Sequence, residues 1–141
     1  MPLWSINHSP ECFSQEEKTA MAKAITKLYQ AYGLPAFYVQ VIFNEIPPTS
    51  LFIGGEGHSK FAGVSIYHVA RAFQSDGQKK RFLDDADSVL NPVLGPKGMD
   101  WEYFVTESPR DLWKTNGIVP PETGSDLEKK WIEENRPVSK I

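Results

Sequence analysis

The spacing of apolar positions changes along the chain, and each change predicts an element. Residues 2–7 (PLWSIN) alternate weakly and predict a short strand, one that ties down the start of the chain where most chain ends fray. Ser14-x-x-Glu17 is a capping box, in which each side chain satisfies a free amide at a helix start. Met21, Ala24, Ile25 and Leu28 follow at helical spacing, and Gly33 and Pro35 stop that helix. From Phe37 to Phe43 the period drops to two. Phe37, Val39, Val41 and Phe43 fall on one face, with Tyr38, Gln40, Ile42 and Asn44 on the other. Both faces are fairly apolar, which predicts a central strand covered on both sides. Pro47-Pro48 ends it, and residues 51–53 (LFI) predict a short strand before the glycine-rich loop GGEGHSKFAG.

The second half repeats this order. Residues 63–70 (GVSIYHVA) read as a strand, and Ser75-x-x-Gln78 resembles a second capping box. Phe82, Ala86, Val89 and Leu90 share one face of a helix, which Pro92, Gly95 and Pro96 are expected to end. Residues 100–106 (DWEYFVT) form a last strand. A short helix is predicted from Ser125, with Leu127, Trp131 and Ile132 as its buried side. The predicted fold is a single α+β domain over residues 1–141. It comprises a β-α-β unit at 1–60, a second at 61–121 and a tail at 122–141. Each unit has parallel strands and a right-handed crossover. Both helices lie on one face of a four-stranded sheet, and self-association is the usual way to cover the bare face.

Composition narrows the function. The 141 residues are 40 % hydrophobic and 12 % aromatic, as in an ordinary globular domain. Fifteen basic against eighteen acidic residues give a net charge of −3, which argues against a nucleic-acid or anionic-membrane surface. Cys12 is the only cysteine, which excludes an internal disulfide and any multi-cysteine metal site. Neither a basic leader nor a membrane-length apolar run is present, so a cytoplasmic location is expected. His8, His58 and His68 are scattered without ligand spacing, and no metal site is expected.

Three residues stand out chemically. The chain starts Met1-Pro2, and a small second residue favours removal of the initiator methionine. Proline at this position is common, and usually carries no function. Here its secondary amine, once exposed, can act as acid, base or nucleophile, given a pKa near the working pH. Burial and a nearby cation would lower that pKa. Arg71, at the end of the third strand, is either a surface ion pair or a fork for an acidic substrate. Tyr103, which shares a strand face with Trp101, is either a core aromatic or a donor to a developing enolate oxygen.

With these residues in view, the chain resembles the tautomerase superfamily. The nearest group is the one typified by cis-3-chloroacrylic acid dehalogenase, particularly its fungal members. The resemblance rests on Met1-Pro2, AKAIT at 22–26, FNEIPP at 43–48, LFIGG at 51–55, Arg71 and WEYF at 101–104. ESPRDLWKTNGIVPP at 107–121 and WIEENRP at 131–137 look fungal. It implies two β-α-β units in a homotrimer, a catalytic amino-terminal proline, a small carboxylate substrate, and no cofactor or metal. Pro2 matches the catalytic proline, Arg71 a substrate-binding arginine, and Tyr103 an assisting tyrosine. Tyr29 stands where the dehalogenase has a histidine, Gln74 where it has a second arginine, and Thr115 where it has the glutamate that activates water. The loss of that glutamate favours a tautomerase or isomerase with a Pro2 base and Tyr29, Gln74 and Thr115 around the substrate. The alternatives are a hydratase, dehalogenase or decarboxylase acting on short unsaturated acids, and a non-catalytic binding trimer.

Overall fold

A computed structural model describes residues 1–139, so residues 140 and 141 of the predicted tail lie outside the described residues. The first unit is β1 (Leu3–His8), α1 (Gln15–Ala31) and β2 (Gln40–Glu45). A hairpin of β3 (Phe52–Ile53) and β4 (Glu56–Gly57) leads to the second unit: β5 (Phe61–His68), α2 (Asp76–Leu94) and β6 (Asp100–Glu107). A last helix, α3 (Asp126–Glu134), follows. The four-stranded sheet has the order β2-β1-β5-β6. β1 pairs with β2, and β5 with β6, in parallel, while β1 and β5 are antiparallel.

Local chemistry explains the element ends. Ser14 Oγ accepts from the Glu17 amide at 3.1 Å and Glu17 Oε2 accepts from the Ser14 amide at 2.9 Å, the complete capping box. α1 ends in a Schellman turn. Gly33, at φ +79°, donates to the Gln30 carbonyl and Leu34 to that of Tyr29. The second box is half-formed: Ser75 caps Gln78, but the Gln78 side chain accepts from the Gln74 amide instead.

Three expectations about elements are corrected. Residues 37–43 are not a central, doubly covered strand. Phe37 and Tyr38 lie in a 3-10 turn, and β2 is an edge strand bonded only to β1. The apolar Tyr38 serves the tail, packing edge-on against Trp113 and Trp131. α2 does not stop at Pro92 but runs through it to Leu94. Pro92 costs the helix a backbone bond, but burial of Leu90 and Leu94, spaced four apart, holds the last turn in place. On α3, Ile132 is exposed and Glu128 is buried in its stead.

The core lies between α1, α2 and one sheet face, where Trp4, Ile6, Val64 and Ile66 are fully buried beside Ile25, Phe82 and Leu90. The other face is bare. Ile42, Ser5, Ser65 and Phe104 form one row across it, with Ile42 44 % and Phe104 53 % exposed. No helix among the described residues is long and apolar enough to cross a membrane.

Candidate active site

Topology gathers the site at one end of the sheet. Because β1 runs against β5, its first residues lie beside the last residues of β5, and Leu3 pairs with Tyr67. Because β6 runs with β5, it ends there too, and His68 pairs with Glu107. The residue before β1 (Pro2) and those after β5 and β6 (Arg71 and Arg110) therefore converge. They line a cavity of about 780 Å³. Ligands commonly bind beyond the carboxyl ends of parallel strands in this way.

Pro2 is fully buried, and its carbonyl accepts from the Gln40 amide at 2.9 Å. The amine that ends the chain, that of Met1, is pushed from its ordinary 8.0 down to about 5, first by burial and then by the charge of Arg110. Beside it, the Trp4 indole donates to the Tyr29 hydroxyl at 2.8 Å, and that hydroxyl lies 2.6 Å from His68 Nε2. Burial, and secondarily the charge of the terminal amine, lower the His68 pKa to about 4, so its ring is neutral at pH 7. Burial raises the Tyr29 pKa, which keeps this hydroxyl protonated. Phe73 and Phe82 complete an aromatic wall around His68.

Four of the six predicted site residues, Pro2, Tyr29, Arg71 and Gln74, line this cavity. Thr115 does not. It is buried and its hydroxyl faces the Met1 sulfur at 3.6 Å, so it borders the space that Met1 fills. Tyr103 does not line the cavity within one protomer either. Its side chain is on the helix-covered face, four residues before the end of β6, and its hydroxyl donates to Asp87 Oδ1 at 2.8 Å. Burial, and then that bond, raise its pKa. Sequence reasoning misses Arg110 and weighs His68 as a metal ligand. A search for cations just beyond the last strand would have found Arg110, had the antiparallel joining of the two units been known.

The fold and this cavity define a class: two β-α-β units with the chain start in a cationic pocket at one end of the sheet. The chain belongs to the family described as "Putative oxalocrotonate tautomerase enzyme", which matches residues 1–136. A crystal structure of "a probable enzyme from the thermophilic fungus Aspergillus fumigatus" is 55 % identical over 99 % of this chain and 98 % of that one, with a TM-score of 0.96. Native RhCC from Rhodococcus jostii RHA1 is 35 % identical over 98 % of this chain and 99 % of that one, with a TM-score of 0.94. N1, a member of the cis-3-chloroacrylic acid dehalogenase family, is 25 % identical over 94 % of this chain and 97 % of that one, with a TM-score of 0.74. No curated protein matches the chain.

Proposed function

We propose that the protein is a tautomerase-type enzyme whose catalytic group is the Pro2 amine, freed by removal of Met1. Its substrate is a small carboxylate with a keto–enol or conjugated unsaturated system. The observation that supports this reading is the seat of the chain start: Pro2 lines the cavity, and the amine just before it is lowered to about 5, first by burial and then by the Arg110 charge. The same burial and the same cation act on a Pro2 amine. Neutral at pH 7, it takes a proton from the enol oxygen, or from carbon next to a carbonyl, and delivers it to another carbon of the conjugated system, while a cavity arginine holds the carboxylate. Tyr29 and Gln74 shape the pocket, and Thr115 borders the space that Met1 vacates. Tyr103, held by Asp87 under α2 on the face opposite the apolar row, has no part in this step. No cofactor or metal takes part. We propose a homotrimer in which the apolar row through Ile42 and Phe104 is covered by other copies.

Intact mass tests Met1 removal, and labelled-nitrogen NMR titrates the Pro2 amine. Pro2→Ala also permits Met1 removal but leaves a primary amine. It should reduce ketonisation of oxalocrotonate-type enols by ~10²–10⁴. Full activity in this variant defeats the reading, as does a retained Met1.

One observation favours a second reading. Glu107 lines the cavity with one oxygen accepting from the Phe73 amide at 3.1 Å, so a carboxylate is at hand to activate water. Hydration then needs a protonated Pro2, and chloride release from 3-chloroacrylate that is lost in Glu107→Gln would mark it.

A further inference from the structure

The cavity arginines differ in what their charges already hold. Arg71 Nη2 lies 3.1 Å from Glu128 Oε1, and Nη2 and Nη1 also donate to the Gly33 and Ala70 carbonyls at 3.4 and 3.3 Å. Glu128 is only 4 % exposed, and its second oxygen accepts from the Gly124 amide at 2.7 Å. A buried carboxylate with its other contacts made does not give up its cation readily. The tail helix α3 therefore delivers an internal carboxylate to the arginine that the sequence marks as the substrate's.

Arg110 is held differently. Its guanidinium donates to the carbonyls of Ala70 at 3.4 Å, Pro120 at 3.1 Å and Pro121, and it lies 5.6 Å from the Trp113 ring centroid. Carbonyls and a ring face orient a guanidinium without cancelling its charge. Among the described residues, no carboxylate comes within ion-pair distance of it. Arg81, the third arginine of the cavity, is exposed on α2, close enough to the Tyr32–Asp85 pair to act on the Tyr32 hydroxyl. Arg110 is the half-buried cation with charge to spare, and it lines the cavity with Pro2.

We infer that Arg110, not Arg71, anchors the substrate carboxylate, while Arg71 is committed to Glu128 and shapes the wall. This inference rests on the proposed Pro2 chemistry, deepens it, and makes Arg110 a specificity-determining residue that local sequence does not mark.

Two electrophiles of one shape test it: 2-oxo-3-pentynoate, and 3-pentyn-2-one, in which methyl replaces the carboxylate. The Pro2 nitrogen bonds the alkyne carbon β to the ketone in both, one alkyne π bond is consumed, and the proton leaving nitrogen ends on the α carbon. Labelling of Pro2 is followed by mass. The ratio of the two rates reports carboxylate recognition, because a change in amine basicity affects both reagents alike. Arg110→Gln should lower the ratio by roughly ten- to a hundredfold. Arg110→Lys, which keeps a charge, should recover part of it and controls for loosening of the Pro120–Pro121 segment. Arg71→Gln with Glu128→Gln, which removes the internal pair together, should leave the ratio within about twofold. An unchanged ratio in Arg110→Gln, or a collapsed one in the double variant, overturns the inference and leaves the Pro2 reading standing. Wild-type Pro2 labelled by neither reagent defeats that reading, and the inference with it.

Discussion

His8 and His68 occupy matching places. Each is the last residue of the inner strand of its unit and lies on the helix-covered face. Each sits in register with a glutamate, Glu45 or Glu107, at the end of the parallel partner strand. Their surroundings differ. His8 Nδ1 donates to the Ser9 carbonyl at 2.8 Å, and Phe13 and Phe43 close over the ring. There, β1 continues into a loop that crosses the sheet end, with the Ser9 amide donating to the Phe61 carbonyl at 3.0 Å. At the His68 end the chain runs on from β5 through residues 69–73, and these residues and Pro2, which precedes β1, line a cavity. The arginines and the tail line it too. A pseudo-twofold scaffold thus offers two similar ends, and aromatic side chains close one while the other keeps a cavity.

The largest effect expected on this contrast is on activity. Pro2→Ala should cost ~10²–10⁴ in kcat/KM, while His8→Asn should leave kcat/KM unchanged at a temperature where it stays folded. An equal loss in both would erase the distinction. Next is the wall that α3 builds at the His68 end only. Trp131 is fully buried against Phe37 and Tyr38, with its indole donating to the Val138 carbonyl at 2.8 Å. Trp131→Ala should cost roughly 3–5 kcal/mol in urea unfolding.

A third test uses pH. His68 falls from 6.5 to about 4 on folding, so the unfolded chain binds more protons between these values. The stabilisation is fully present above pH 6.5 and is lost as pH falls toward 4. Between neutrality and about pH 4.5 the loss is on the order of 2 kcal/mol. His68→Asn should remove this share of the acid slope. A slope that survives the substitution would show that His68 is not its source. Smallest is the pair of helix starts. Ser14→Ala, which breaks a complete capping box, should cost about 1 kcal/mol, and Ser75→Ala, whose box is half-formed, less. Thermal unfolding of the two variants reads the difference.

Much of the fold is legible locally. The Ser14 box, the Gly33 stop and the Ser125 start of α3 each depend on atoms within a few residues, so sequence suffices to place them. The 37–43 segment misled because its apolar residues have two customers. Val41 and Phe43 face α1, whereas Phe37 and Tyr38 face a tail some ninety residues later. At Pro92 the helix-breaking tendency is local, whereas the burial of Leu94 that overrides it is tertiary. In the site, Pro2 and Arg71 were readable from strand ends. Arg110 was not, since its place depends on β1 and β5 running antiparallel.

By itself, the sequence determined two β-α-β units, their helix caps, and a proline at the second position with an arginine at a strand end. Periodicity and capping are short-range, and these features follow from them. The tertiary structure alone decided which strand is the edge, that β1 and β5 run antiparallel, and that Pro2, His68 and Arg110 share one cavity. It also decided which arginine has charge to spare. Arg71 meets Glu128 across 57 positions of chain, and a charge's availability depends on what the fold brings within about 4 Å of it.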